Sequence, residues 1–253
     1  MKKLDVANYL IATAKVDGWF YPIDAYAFAM FDDIQRSENI KGNLFEIGVH
    51  HGKSAILLGS MARGEEIVGV CDIFEEDSQD HFIEYMRTHT SLPPDRLTIF
   101  AKRSTTLVAD DTTISNRFFH VDASHSAKDV FADLVTADRG VGPDGILAVD
   151  DVFSSIWPGV SEGFYNFHTT RPDAFVPIFI GANKVYLTRP DAALVYEKHW
   201  AKDGDVAGYF EPGPFSFEMK EWLGRRVTTA VGVVVPDDGP PTWRKRIKSV
   251  LGR

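Results

Sequence analysis

Three aspartates concentrate the chemistry in this sequence. Asp122 closes the apolar run Arg117-Phe118-Phe119-His120-Val121, and Asp150-Asp151 close Gly145-Ile146-Leu147-Ala148-Val149. Short apolar runs bounded by turn signals read as buried strands. If those strands are neighbours, three carboxylates meet in one small volume and repel one another. A hard divalent cation such as Mg²⁺ relieves that repulsion with oxygen ligands and keeps positions open for a substrate. The structural alternative makes Asp150-Asp151 a surface turn and Asp122 the cap of the next helix. His125 follows Asp122 on the same loop. An imidazole there can take a proton from a hydroxyl near neutral pH, and a metal would first lower the pKa of that hydroxyl. Equally, His125 can be a loop histidine bonded to backbone. His120, inside the apolar run, reads as a satisfied core residue.

A second constellation is Phe45-Glu46-Ile47-Gly48-Val49-His50-His51-Gly52-Lys53-Ser54. It reads as a strand, a glycine turn and a helix start. Gly48 allows a sharp turn, and Gly52 allows a ligand close to the backbone. The glycine spacing fits neither the dinucleotide fingerprint nor a P-loop, although Lys53-Ser54 has the P-loop ending. Glu46 at the mouth suits a cationic or amino-bearing ligand, with His50 and His51 beside the turn. Asp72 ends the next apolar run, where an acid can accept ribose hydroxyls in doubly wound folds. The alternative for Asp72 is a turn or a helix cap.

Such acids need a scaffold that brings strand ends together. The sequence alternates β-rich runs (44–48, 67–72, 97–100, 117–122 and 145–151) with helix-like segments (54–61, 80–89, 128–137 and 159–168). This alternation predicts an α/β fold, a doubly wound, mostly parallel sheet with helices on both faces. Runs 175–180 and 184–187, joined by Gly181-Ala182-Asn183, predict an antiparallel hairpin at its edge. Ligands in such sheets sit outside the carboxyl ends of the strands, where Glu46, Asp72, Asp122, Asp150 and Asp151 all fall. Residues 1–40, rich in aromatics, predict a helical cap. Residues 41–190 form the catalytic unit, and residues 191–253 an extension with a late strand at 231–236.

The chain has 253 residues, 44% of them hydrophobic and 25% charged, which suits a globular protein with a sizeable core. Lys+Arg number 27 against 36 Asp+Glu, a net charge of −9 that disfavours nucleic-acid binding. One cysteine, Cys71, excludes an internal disulfide and a multi-cysteine zinc site. No apolar run is long enough for a transmembrane helix, and residues 1–5 lack the apolar core of a signal peptide, so a cytoplasmic address is expected. The segment 243–251 is basic and amphipathic. It is either a solvated terminal helix or a weak peripheral contact with a membrane or partner.

The run Phe45-Glu46-Ile47-Gly48 through Gly52-Lys53-Ser54 resembles the first motif of class I S-adenosylmethionine-dependent methyltransferases. His120-Val121-Asp122-Ala123-Ser124-His125 and Leu147-Ala148-Val149-Asp150-Asp151 resemble the metal-dependent O-methyltransferases. The likeness is nearest to the group of macrocin-type sugar O-methyltransferases and cephalosporin-hydroxylase-like proteins, and more distant to catechol O-methyltransferase. It covers residues 18–188. The resemblance implies a seven-stranded Rossmann-like sheet. It implies that Glu46 bonds the amino group of S-adenosylmethionine, that Gly48, Gly52 and Ser54 shape the turn beneath it, and that Asp72 takes the ribose. Ser104 would lie near the adenine, with Asp122 bordering the cofactor. Asp122, Asp150 and Asp151 would hold Mg²⁺ or a similar ion. His125 stands where catechol enzymes carry a lysine, which fits a histidine base. The Asp150-Asp151 pair replaces their Asp-Asn, which argues against catechol. The implied substrate is a small-molecule hydroxyl acceptor, a diol of a sugar or natural product, and relatives often form homo-oligomers. Two other readings stay open, an oxidative cephalosporin-hydroxylase-like enzyme and a non-catalytic cofactor-binding module.

Overall fold

A computed structural model describes residues 5–75, 78–112, 115–200, 209–210 and 215–233. Its strands are β1 (Asn43–Ile47), β2 (Val68–Asp72), β3 (Leu97–Ala101), β4 (Asn116–Val121), β5 (Val141–Val149), β6 (Val176–Ile180), β7 (Val185–Thr188), β8 (Phe215–Trp222) and β9 (Arg225–Val233). They form one sheet in the order β3-β2-β1-β4-β5-β7-β6-β9-β8. The first five strands pair in parallel, as strand–helix alternation requires. The order reverses beside β1, between β2 and β4, and this is where a doubly wound sheet opens its crevice.

Side chains alternate across each strand and so serve two separate cores. Leu44, Val68, Val70, Phe118, Ile146 and Tyr186 pack on one face with α2 (Pro22–Ser37), α3 (Lys53–Met61) and α4 (Ser78–His89). Phe45, Phe119, Leu147 and Val185 pack on the other with α6 (Ala127–Gly140) and α7 (Pro158–Thr170). Fully burying one of these side chains contributes about 1.5–3 kcal/mol. Among the described residues, the helical elements between α4 and α6 are short: 3-10 turns at Pro94–Arg96 and Ser104–Thr106, and α5 (Ala109–Thr112). Helix starts follow local chemistry. Ser126 caps α6 by accepting from Asp129 N, and Pro22 and Pro158 occupy the first turns of α2 and α7.

Two features differ from the sequence expectation. The sheet has nine strands among the described residues, not seven, because β8 and β9 add a second hairpin. Its two-residue connection, Leu223-Gly224, has positive φ at both positions, the geometry that matches strand twist in a tight hairpin. Phe215 and Phe217 then pack with Phe210 against Phe179 and Tyr26. The hairpin of β6 and β7 is antiparallel as expected, but β7 inserts between β5 and β6, so the sheet edge lies farther out at β8. In the N-terminal segment, α1 (Val6–Ala12) is short, and α2 is buried along most of its length as a full member of one helical layer. The loop leading into α2 and the N-terminal half of α2 reach the strand ends, where Phe20 lies over Lys184, Asp24 accepts from Tyr186 and Phe28 packs on His120. The basic segment 243–251 and positions 234–236 of the late strand lie outside the described residues. No described helix is long and apolar enough to cross a membrane.

Candidate active site

Strand register assembles the site. Glu46 on β1 pairs with His120 on β4, and Ala148 on β5 pairs with both His120 and Tyr186. Because Val149 opposes Val185 on antiparallel β7, the next positions, Asp150 and Lys184, meet across the strands, and Asp151 and Asn183 follow. Period-two alternation turns Glu46, His120, Asp150 and Lys184 toward the same helical layer. The result is one hydrogen-bonded line through the buried ends of four strands. His120 Nδ1 lies 2.7 Å from Glu46 Oε1, and His120 Nε2 lies 2.8 Å from Lys184 Nζ. Lys184 Nζ lies 2.5 Å from Asp150 Oδ2. An ammonium only donates, so His120 Nε2 accepts and Nδ1 carries the proton given to Glu46. Burial and the neighbouring Lys184 charge lower the pKa of His120, which matches this neutral tautomer.

Glu46 is fully buried at the end of β1. Its Oε1 takes the His120 proton and the Ser54 hydroxyl, whereas Oε2 has no partner. An orphaned, buried carboxylate oxygen carries a large desolvation cost unless a cation or donor completes it. Ser54, expected beside the cofactor, is itself buried and serves Glu46 directly. Gly48 has φ +86°, and a Cβ there would overlap the Asp122 carbonyl. At Gly52, φ +92°, a Cβ would run into the Phe82 ring. The structural demand on Gly52 is therefore its left-handed backbone and the Phe82 contact, in addition to the expected ligand approach. Val49 N and His50 N donate to Asp72 Oδ2 at 2.6 and 2.9 Å, and Phe74 N to Oδ1 at 2.9 Å. A carboxylate offers about four lone-pair positions. Three are occupied, which leaves Asp72 room for one hydroxyl rather than two. Ser104 lies in the turn after β3, beside the buried Asp133, whose carboxyl burial pushes up to about 7.

The three aspartates do not converge on one point. Asp151 has φ +58°, a left-handed position that swings it away from Asp150. Its Oδ1 accepts from Asn183 Nδ2 at 2.7 Å, and its Oδ2 lies 3.4 Å from His125 Nε2. Asp150 turns the other way, toward Lys184. Asp122 stands between them, 3.9 Å from Lys184 Nζ and hydrogen-bonded to Asp150. Burial and the Asp150 charge raise the pKa of Asp122 well above the carboxylate range. Burial also acts against ionised Asp150, but Lys184 and the proton on Asp122 outweigh it and hold Asp150 low. Among the described residues, two groups of possible ligand atoms close within 4.8 Å: His120, Asp122 and Asp150, and Asp122, His125 and Asp151. They share Asp122.

The outer face of this acid site is lined by aromatic side chains. His125 stacks on Trp157, with ring centroids 4.0 Å apart and planes 9° apart. Phe20 approaches Lys184, Trp19 stacks on His50, and half-exposed Tyr21 feels Asp150, Asp151 and Asp24. The glycine turn and the acids thus form adjoining halves of one crevice, with Gly48 packed on the Asp122 backbone.

Residues 45–152 match a family model described as "Methyltransferase domain". This stretch is similar to that family. It contains Glu46, the glycine turn, Asp72 and all three aspartates. No curated protein matches the chain by sequence. Solved structures of similar fold include the O-methyltransferase NovP, with TM-score 0.54 and 16% identity over 66% of this chain and 80% of that one. The apo structure of CalS11, a TDP-rhamnose 3'-O-methyltransferase, gives TM-score 0.55 and 13% identity over 72% of this chain and 86% of that one. MycE methyltransferase in complex with Mg, S-adenosylhomocysteine and mycinamycin VI gives TM-score 0.52 and 15% identity. That match covers 74% of this chain and 55% of MycE. At these identities the likeness establishes the fold. The matched stretch ends just past the acids, at residue 152, so β6 to β9, with Lys184, lie beyond the match.

The donor atoms decide where a dication fits this site. In the inner group, Lys184 already uses His120 Nε2 and Asp150 Oδ2. Asp150 Oδ1 accepts from Asp151 N at 2.8 Å. The inner group therefore does not fit a metal as it stands. The outer group offers two carboxylates and an exposed imidazole, which suit a divalent ion. The expected set of Asp122, Asp150 and Asp151 is thus divided, with Asp150 committed to Lys184. Sequence reasoning missed Lys184 and the linking role of His120. The available signal was a lone lysine opening the apolar strand 185–187, directly after a tight turn. Asp24 was missed as well. It is buried in α2, where Tyr186 OH donates to it at 2.8 Å and Oδ2 has no partner.

Proposed function

We propose that the chain is an S-adenosylmethionine-dependent O-methyltransferase acting on a hydroxyl of a small molecule, a diol of a sugar or natural product. The observation that carries this reading is Glu46 Oε2, a buried carboxylate oxygen without a partner, set at the crevice of a methyltransferase domain. An amino-acid ammonium completes it. Asp72 holds the glycine turn through the backbone and takes one ribose hydroxyl. The donor supplies a methyl already activated on a sulfonium, so the protein's task is to orient the acceptor oxygen and remove its proton. His125 Nε2 takes that proton, and Asp151 Oδ2, 3.4 Å away, stabilises the imidazolium. Trp157 fixes the imidazole plane by stacking, and the surrounding aromatic side chains offer apolar faces to a sugar or aryl acceptor.

The three outer donors support a second reading of the acceptor half. There Asp122, Asp151 and His125 would hold Mg²⁺ or a similar ion, which would gather the acceptor hydroxyl and lower its pKa. In that reading His125 is a ligand and the proton leaves to another acceptor. The carboxylate-rich site supports either form better than an oxidase, because a non-haem iron centre usually takes two histidines and one carboxylate.

Calorimetric titration with S-adenosylhomocysteine tests the cofactor half. Saturable one-to-one binding is expected, and no binding would overturn the proposal. Product analysis against a panel of glycosylated and aryl diols tests the reaction. With an acceptor in hand, His125→Ala is expected to lower kcat about 10²–10⁴-fold. Loss of turnover on chelation, restored by Mg²⁺, selects the metal form.

A further inference from the structure

We propose that Lys184 is a resident cation occupying the inner acid group, so that it replaces a dication there and withdraws Asp150 from any metal's ligand set. The inference rests on the proposed function only for the use of this crevice, and its test needs no turnover.

The argument is one of occupancy. His120, Asp122 and Asp150 present ligand atoms within 4.8 Å of one another, the arrangement a divalent ion needs. Lys184 Nζ bonds two of the three, at 2.8 and 2.5 Å, and lies 3.9 Å from the third. The lone pair of His120 Nε2 that would bind a metal accepts a lysine proton instead. Both oxygens of Asp150 are engaged, one by Lys184 and one by the Asp151 amide. Lys184 is 1% exposed, so its ammonium cannot withdraw into solvent to make room. Its stem enters from β7, and Phe20 lies across the ammonium with its ring centroid 5.7 Å away. An ammonium and a dication bound to the same oxygens would repel, so one excludes the other. Lys184 is therefore a positioning residue. It neutralises the inner carboxylates permanently and, through His120, keeps Glu46 Oε1 occupied and Oε2 unpartnered. The outer carboxylate, Asp151, keeps its own partners, Asn183 and His125, and stays available.

The test is direct binding of Mn²⁺, read by electron paramagnetic resonance on the purified full-length chain. Lys184→Met keeps the volume and removes the charge. It is expected to bind Mn²⁺ at least tenfold more tightly than the unaltered protein, and adding Asp150→Asn is expected to abolish the gain. Lys184→Arg keeps the charge and is expected to gain nothing. Lys184→Gln removes the charge and leaves only neutral amide contacts, which a dication can displace because nothing repels it, so it supplies the same measurement if the methionine variant does not fold. Two results would overturn the proposal. One is that neither neutral variant gains Mn²⁺ affinity, which is what a merely structural lysine predicts. The other is that Asp150→Asn alone weakens Mn²⁺ binding as much as Asp122→Asn does. S-adenosylhomocysteine titration of the same samples reports separately on the cofactor half, so failure of one proposal is distinguishable from failure of the other.

Discussion

Arg117 and Lys184 are each about 1% exposed, and each gathers acidic side chains at one end of the same sheet. Arg117 lies at the start of β4. Its Nε and one terminal nitrogen grip both oxygens of Glu66 at 2.9 Å. The other terminal nitrogen bonds Gln35 at 2.7 Å and pairs with Asp32 at 2.9 Å, and the Met61 carbonyl takes a further bond. A planar, permanently charged fork fits bidentate carboxylates and leaves little unmet. Lys184, at the opposite end, serves His120 and Asp150 with a point charge. Around it Glu46 Oε2 and Asp24 Oδ2 stay without partners. Both clusters join helix and strand, and both contain a buried acceptor without a hydrogen bond. Beside Arg117 that acceptor, Asp32 Oδ1, still has a guanidinium nitrogen 2.9 Å away, whereas Glu46 Oε2 and Asp24 Oδ2 lie toward the ligand-binding end. Charge-compensated clusters hold a fold together, whereas open acceptors beside a crevice are a mark of function.

Breaking each cluster in turn sharpens this contrast. Arg117→Met leaves Glu66 and Asp32 without their buried partner and should cost about 3–5 kcal/mol of stability by urea denaturation. Protein that remains folded should bind S-adenosylhomocysteine as before. Glu46→Gln should behave in the opposite way. Removing one charge-assisted bond of about 1.5–3 kcal/mol should weaken S-adenosylhomocysteine about 10- to 100-fold in calorimetry, with a smaller change in unfolding midpoint. Equal affinity in the variant would remove Glu46 from the cofactor site.

The smallest effect concerns pH. Burial pushes Asp24 up to about 7, with Lys184 opposing and Asp150 adding to the rise. Its folded pKa lies above the unfolded value of 3.8, so the folded state holds this proton more tightly. Its contribution to stability is complete below about pH 4 and disappears as pH rises through about 7. Asp24→Asn keeps an acceptor for Tyr186 and should be more stable than the parent at pH 8, by about 1–3 kcal/mol. The two should converge near pH 4. Denaturation midpoints across pH 4–8 check this, and parallel curves would place the titration elsewhere.

The alternation of apolar runs and helical segments was enough to read the parallel half of the sheet, because strands buried on both faces have a distinctive composition. The acids at strand ends were legible for the same reason, since a charge stops an apolar run. Their mutual placement was not. Whether Asp150 and Asp151 converge depends on one backbone torsion at Asp151 and on what stands across β7. Lys184 is near in space only after an antiparallel insertion that no local spacing announces. The hairpin of β8 and β9 was missed for a related reason. Its strand Phe215–Trp222 mixes aromatic residues with Glu218, Lys220 and Glu221, a pattern that describes a half-wet surface more than a core.

That pattern has a consequence for how the sheet ends. Strand β8 has no neighbour on its outer side within the described chain, so its backbone donors and acceptors could template a foreign strand. Its middle carries Glu218, Lys220 and Glu221, all exposed. An incoming strand would have to strip water from these charges before gaining a single ladder bond. Growth of the sheet is thus halted by the same mixed composition that hid the strand from a reader of its sequence.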